Sequence, residues 1–314
     1  MKNIKSKGVT IFSIILASFS VGLGYCIGYA NAPKVIQTNN NNDNYIKQGV
    51  NLEKNYANYI NYFAAKHVIS HRGSGSNDEI EPTFAAYDQA IASGSHYIEQ
   101  DLVSSKEGTL WVSHDPSARR IFHCNQLFRD MTDSEIEELK TANNEHCHRL
   151  SEVFNHYKKD KDVNFVVEVR TKWDFNQIPT LVKTIHECKI PVSRLIIQCW
   201  TKEDAARIKK FLPKVKTLFL CGDYPAFEEA TKDSNIDIVA PEEHLAYPQN
   251  IKFAHKHNKQ FCTWTIDSSA QIKQAIKNGV DYYFTNYSAK AIDYEKIYRC
   301  PSFKTFLKRN HYKL

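Results

Sequence analysis

The sequence predicts an α/β protein, a (β/α)8 TIM barrel with a small insertion after the second strand region, and three observations carry that prediction. From residue 67 to 300, short apolar runs alternate with longer stretches of helical period. The alternation repeats about eight times over roughly 230 residues, the count and length of eight strand-helix units closing on themselves. No Gly-x-Gly-x-x-Gly follows the first run, and Arg72-Gly73-Ser74-Gly75 is too short for that fingerprint, which disfavours a doubly wound open sheet.

Ahead of the barrel, Lys2, Lys5 and Lys7 precede Val9 to Ala32, an uncharged apolar stretch closing on Ala30-Asn31-Ala32. A basic start, an apolar middle and a small-x-small end describe a secretory signal peptide, and about 20 such residues also suffice to span a bilayer. Residues 1–32 are therefore a signal peptide or an N-terminal membrane anchor, and either sends the rest of the chain out of the cytoplasm, secreted or anchored. Cys26 is not read as a lipid attachment site, because bulky Tyr25 stands before it. Residues 33–66 are a polar linker, with the low-complexity run Gln37 to Asn44, followed by a short N-terminal helix.

The predicted strands are His67–His71, Tyr97–Val103 with its companion Thr109–His114, Asn164–Arg170, Leu195–Cys199, Thr217–Cys221, Asp237–Ala240, Gln260–Ile266 and Asp281–Thr285. Between them lie amphipathic stretches such as Thr83–Ser93, with Phe84, Tyr87 and Ile91 at helical spacing, and Ser269–Asn278, which stops at Gly279. Residues 116–150 break the alternation with a polar segment in which Thr132-Asp-Ser-Glu135 has capping-box spacing, and they form the insertion. Residues 301–314 are a basic tail, read as solvated, with an anionic wall polymer or membrane as the alternative contact.

The chain has 314 residues and a net charge of +6, with no stripe of basic and aromatic residues, so nucleic acid is not an expected partner. Seven of its cysteines lie beyond residue 32, and in an oxidising compartment Cys124 and Cys147, flanking one polar excursion, are the best local pair. No cysteine cluster has zinc spacing.

Chemistry collects at the predicted strand ends, where barrel enzymes keep their reactive groups. The first run ends on His71-Arg72-Gly73. The second carries Glu99 and Asp101, two apart and so on one face. Like charges held together in a partly buried site repel unless a cation sits between them, and all-oxygen ligands suit a hard divalent ion, Ca2+ or Mg2+. The third adds Glu168 as a further ligand and Arg170, whose guanidinium suits a bidentate phosphate contact. The companion run ends on His114-Asp115, a second imidazole for proton transfer. Trp264 offers an apolar wall at the mouth, although a core aromatic is the blander reading.

At these residues the chain resembles the glycerophosphodiester phosphodiesterase family. His71-Arg72-Gly73, Glu81-Pro82-Thr83, Gly94 through Asp101, Ser104-Ser-Lys-Glu-Gly108, Val112-Ser113-His114-Asp115, Phe128 to Thr132, Glu168-Val-Arg170, Trp264-Thr-Ile-Asp267 and Phe284-Thr285 follow its motifs in order. The sequence departs from the pattern at Pro82, where Asn is frequent, at Arg170, where Lys is common, and at Asp267, where Asn is frequent. The resemblance implies a TIM barrel and one divalent cation on Glu99, Asp101 and Glu168. It also implies Arg72 on the phosphate, and His71 and His114 as general acid and base. The expected reaction is hydrolysis of a small-molecule glycerophosphodiester to an alcohol and glycerol 3-phosphate. Its attacker is water or the neighbouring glycerol hydroxyl, the latter by way of a cyclic phosphate. Two rival readings are a phospholipase of the same barrel type acting on intact lipid, and a barrel that only binds phosphodiesters or anionic wall polymer.

Overall fold

The structure, a computed structural model, describes residues 66–73 and 80–299. The predicted leader, linker and N-terminal helix, up to residue 65, and the basic tail lie outside the described residues. Eight strands run parallel: β1 (Val68–Ser70), β2 (Tyr97–Ser104), β4 (Asn164–Glu168), β5 (Leu195–Cys199), β6 (Lys216–Cys221), β7 (Ile238–Pro241), β8 (Gln260–Thr263) and β9 (Tyr282–Thr285). The sheet runs from β1 through β9 and back down the series to β2, and a β1–β2 pairing closes it into the expected barrel. The companion run is β3 (Leu110–Val112), antiparallel to β2 and outside the barrel circuit.

The strands form because their runs are rich in β-branched and aromatic residues and are buried on both faces. Inward positions fill the barrel with Ile69, Val166, Ile196, Leu218, Leu220, Ile238, Ala240, Cys262, Tyr282 and Phe284. On β2 the alternation puts Tyr97 against this plug and then turns polar at Glu99 and Asp101. Register sets Asp101 beside Glu168 and Glu168 beside Gln198, so three neighbouring strands present polar groups in one row at their C-terminal ends.

Helices α1 (Phe84–Ala92), α5 (Gln177–Cys188), α6 (Lys202–Phe211), α7 (Tyr224–Lys232), α8 (Pro248–Lys256), α9 (Ser269–Asn278) and α10 (Ser288–Arg299) alternate with the strands. Thr83 caps α1, accepting from Ala86 N–H, and Gly279 ends α9 in the left-handed region at φ 86°. Between β3 and β4 the chain makes α2 (Arg119–Phe122), α3 (Asp133–Glu137) and α4 (Leu150–Tyr157). The Thr132/Glu135 capping box is present at α3. This segment has a core of its own, in which Phe122, Phe128, Met131 and Ile136 pack with Trp111 and Cys147. The expected Cys124–Cys147 bridge is absent: both are free thiols, with Cys124 Sγ donating to Gln126 and Cys147 Sγ to the Val112 carbonyl. The described residues up to Ile292 form one compact unit. Of a second unit, only Asp293–Arg299 is described, holding the within-helix ion pairs Lys296–Asp293 and Arg299–Glu295.

Candidate active site

The chain leaves β1 through a tight turn, His71–Gly73, in which Arg72 (φ 55°) and Gly73 (φ 73°) are both left-handed. A Cβ on Gly73 would stand 2.2 Å from the Tyr87 ring, so only glycine fits. The turn points the Arg72 backbone N–H at Glu99 Oε2 (2.7 Å) and its guanidinium at Glu81 Oε1 (2.9 Å), with Nε 3.5 Å from Asp101 Oδ2. Arg120 also grips Glu81, at 2.6 Å. Burial works against ionisation of Glu81, but Arg72 and Arg120 together hold its carboxyl below the usual range.

Glu99, Asp101 and Glu168 are at most 3% exposed, and their ligand atoms lie within 4.8 Å of one another. Burial, then repulsion from Asp101 and Glu168, pushes Glu99 well above the usual carboxylate range, and burial with Asp101 raises Glu168 as well. Arg170 offsets part of this crowding. Its Nη2 donates to Asp101 Oδ1 (2.7 Å), its Nε to Glu168 Oε1 and its Nη1 to the His114 carbonyl. Glu168 is further held by Gln198 (2.5 Å) and the Trp200 indole N–H (3.2 Å). Glu99 Oε1 and Asp101 Oδ2 remain buried without a hydrogen bond.

Two orphaned acid oxygens beside a third carboxylate are the donor set a hard divalent cation requires. The charges agree. Arg72 and Arg170 offset two of the three negative charges, and a divalent ion turns the balance to a single positive charge, matched to a phosphodiester monoanion.

The two histidines line the same pocket as these groups but are set differently. His71 Nδ1 lies 2.8 Å from Asn286 Oδ1, while Asn286 donates through Nδ2 to Asp267 Oδ2 and through its backbone N–H to Asp267 Oδ1, both at 2.8 Å. Asp267 can only accept, so the amide oxygen of Asn286 faces His71. Nδ1 therefore carries the proton and Nε2 keeps its lone pair. Burial, then the Arg72 cation, lowers the His71 pKa to about 4. His114 Nδ1 instead meets a carboxylate, Asp115 Oδ1, at 2.7 Å, and Arg120 Nε holds the other oxygen at 2.5 Å. Burial opposes it, yet the bonds from Arg120 and His114 keep Asp115 below the usual carboxylate range.

One side of the pocket is apolar. Trp264, fixed by its indole N–H to the Ala240 carbonyl (2.8 Å), meets Trp200 edge-on at 5.8 Å, and Leu220 and Phe284 complete the wall.

The structure thus gathers His71, His114, Arg72, Arg170, Trp264, Asp101 and Glu168 around one pocket, with Glu99 packed beneath Arg72. Arg170, expected on the phosphate, spends Nε and both Nη groups on protein acceptors. Sequence reasoning passed over Asn286, Arg120, Gln198 and Trp200 as site residues. Gln198 and Trp200 had a usable signal, being polar or aromatic at a strand end, whereas Asn286 meets a histidine 215 residues away and Arg120 joins nearby Asp115 to distant Glu81.

Comparison with known proteins agrees with this geometry. A glycerophosphodiester phosphodiesterase from Caldanaerobacter subterraneus subsp. tengcongensis is 27% identical over 229 residues, covering 70% of this chain and 93% of that protein. One from Bacillus altitudinis is 24% identical, covering 72% and 96%. In fold, the chain matches an Oleispira antarctica phosphodiesterase solved in complex with the product sn-glycerol-3-phosphate, with TM-score 0.66, 18% identity and coverage of 74% and 99%. The model of one family, the glycerophosphoryl diester phosphodiesterase family, matches residues 71–290, from the first pocket histidine past the asparagine behind it, and the chain belongs to that family.

Proposed function

We propose that the protein hydrolyses small glycerophosphodiesters to an alcohol and glycerol 3-phosphate. The observation that carries this reading is the pairing, in one pocket, of two histidines with opposite settings and a buried three-acid cluster with orphaned oxygens. The Oleispira phosphodiesterase, with sn-glycerol-3-phosphate as its product, supports the product assignment. A divalent cation on Glu99, Asp101 and Glu168, calcium or magnesium, would supply Lewis-acid polarisation of the phosphoryl group.

Arg72, which lines the same pocket, offers its charge to the phosphate. Neutral His71, with Nε2 free, takes the proton of the attacking hydroxyl. His114, backed by the Asp115 carboxylate, delivers a proton to the leaving alkoxide. The attacker in this reading is the glycerol hydroxyl beside the phosphate-bearing carbon, held close at high effective molarity, and water then opens the cyclic phosphate with the histidines exchanging roles. The tryptophan wall packs the carbon skeleton.

A screen of soluble diesters, glycerophosphocholine first, with calcium or magnesium tests the reading. Release of glycerol 3-phosphate is expected, together with a large loss of turnover on a substrate lacking the neighbouring hydroxyl. Near-normal hydrolysis of that deoxy substrate would exclude the internal attacker, and no turnover of any diester would sink the activity. Soluble substrates are favoured over bilayer lipid because Phe122 and Phe128 are buried in the insertion's own core rather than displayed. Vesicle hydrolysis exceeding soluble-diester hydrolysis would reverse that preference.

The same proposal places the enzyme outside the cytoplasm. What supports this is the uncharged stretch Val9–Ala32 behind three lysines, a segment outside the described residues; among those described, no helix is long and apolar enough to cross a membrane. Protease protection of the catalytic unit in intact cells would overturn the placement.

A further inference from the structure

Where the insertion returns to the barrel, a second group of metal-ligating side chains comes together: His146 and His148 on the approach to α4, and Glu152 in its first turn. None of them lines the active-site pocket. Their ligand atoms lie within 4.8 Å of one another, with His146 Nε2 3.7 Å from Glu152 Oε1 and His148 Nδ1 3.9 Å from Glu152 Oε2. A tetrahedral ion with bonds of about 2.0–2.1 Å holds its donors roughly 3.3 Å apart, so the three side chains would draw together to close on an ion.

His148 supplies an independent sign of a missing ligand. It is 1% exposed, yet Nδ1 has no hydrogen-bond partner. Its other nitrogen, Nε2, meets Glu145 Oε1 at 2.6 Å. A carboxylate accepts, so Nε2 carries the proton and the Nδ1 lone pair faces Glu152, the carboxylate-histidine-metal arrangement that fixes a ligand's tautomer. An ion pair alone would leave this buried nitrogen unsatisfied, at a cost.

We propose that His146, His148 and Glu152 form a second metal site that takes a first-row transition ion of the zinc class. Two imidazoles and one carboxylate are a borderline donor set that prefers such ions, unlike the all-oxygen cluster of the pocket. His146 and Glu152 are 46% and 38% exposed, which leaves room for water as the fourth ligand. The ion would tie the approach to α4 to the first turn of α4. Glu145, which orients His148, also accepts from the backbone N–H groups of Phe84 and Ala85 in the first turn of α1, and Phe84 stacks on His148 at 3.8 Å. That turn follows Glu81, the partner of Arg72, so the site braces the segment on which the pocket arginine rests.

The test uses the full chain, stripped of transition metals and saturated with magnesium. Zinc should bind one per chain, raise the unfolding temperature by several degrees, and be replaceable by cobalt with the strong visible absorption of tetrahedral coordination. The Asp101→Asn variant, which impairs the pocket cluster, should keep this site. His146→Ala, at an exposed position, and Glu152→Gln, at a half-buried one, should each weaken zinc binding at least tenfold and abolish the thermal shift. Unchanged zinc affinity in the combined His146→Ala and Glu152→Gln variant would overturn the assignment. Loss of all zinc binding in Asp101→Asn would do the same, by placing the ion in the pocket.

Discussion

His71 enters the pocket with its Nδ1 proton committed to Asn286 and its pKa pulled to about 4, by burial first and then by Arg72. A base must be neutral, so kcat/KM should survive through the ordinary histidine range near 6.5 and fall only as pH drops through about 4. Asn286→Asp would place a carboxylate against Nδ1, favour the imidazolium and move that acid limb upward. A pH-rate profile at saturating divalent ion reads the shift, and an unmoved limb would remove His71 from the base role. His114 rests on a carboxylate instead, which suits a group that must carry and deliver a proton. Asp115→Asn should therefore lower kcat by roughly 10²–10⁴-fold, the range of acid-base catalysis, with KM little changed. A loss confined to KM would mark Asp115 as a binding residue. Neither orienting partner advertised its role in the sequence: Asp115 is only a neighbour of His114, and Asn286 lies 215 residues from His71.

At the scale of elements, the turn after β1 bears the most chemistry on the least chain. Gly73→Ala adds a methyl group that meets the Tyr87 ring, at a backbone conformation unfavourable to alanine. Overpacking and left-handed strain each cost about 1–3 kcal/mol. The denaturation midpoint should fall accordingly. Activity should fall further than stability explains, because His71 and Arg72 sit on the same turn. An exposed cap provides the contrast. Asp223→Ala removes the acceptor for Ala226 N–H at the start of α7 and should cost about 1 kcal/mol with kcat unchanged. Element identity was legible because apolar period and cap residues are local signals: β5 and α9 fall within their expected bounds, and the Thr132/Glu135 box is in place. Strand ends shifted by a residue or more where the polar site residues begin. His71 and Arg170 leave the ladder to meet Asn286 and the acids, so hydrogen bonding to the site, not β propensity, ends those strands.

Across the whole molecule, the barrel brings three carboxylates from two strands into one buried space, and a divalent ion there would relieve their mutual repulsion. Chelation should abolish turnover and lower the unfolding temperature, and calcium or magnesium should restore both. An ion present at a hundred times its dissociation constant contributes about 2.7 kcal/mol. Glu99→Gln should lose activity and the metal-induced thermal shift together, and full activity in excess chelator would remove the cation from the site. The eightfold alternation, the strand-end placement of the acids and histidines, and the family pattern are all legible along the chain. Each of these is written in residues close together along the chain, through side-chain period and motif order. It took the folded chain to show that Arg170 faces Asp101 and Glu168, that Asn286 and Asp115 hold the two histidines differently, and that Glu145 joins His148 to the start of α1. The Arg170–Asp101, His71–Asn286 and Glu145–Phe84 contacts join groups 69, 215 and 61 residues apart through barrel closure and the return of the insertion, and even for near neighbours such as Asp115 and His114 no local period encodes which of the available polar partners will meet.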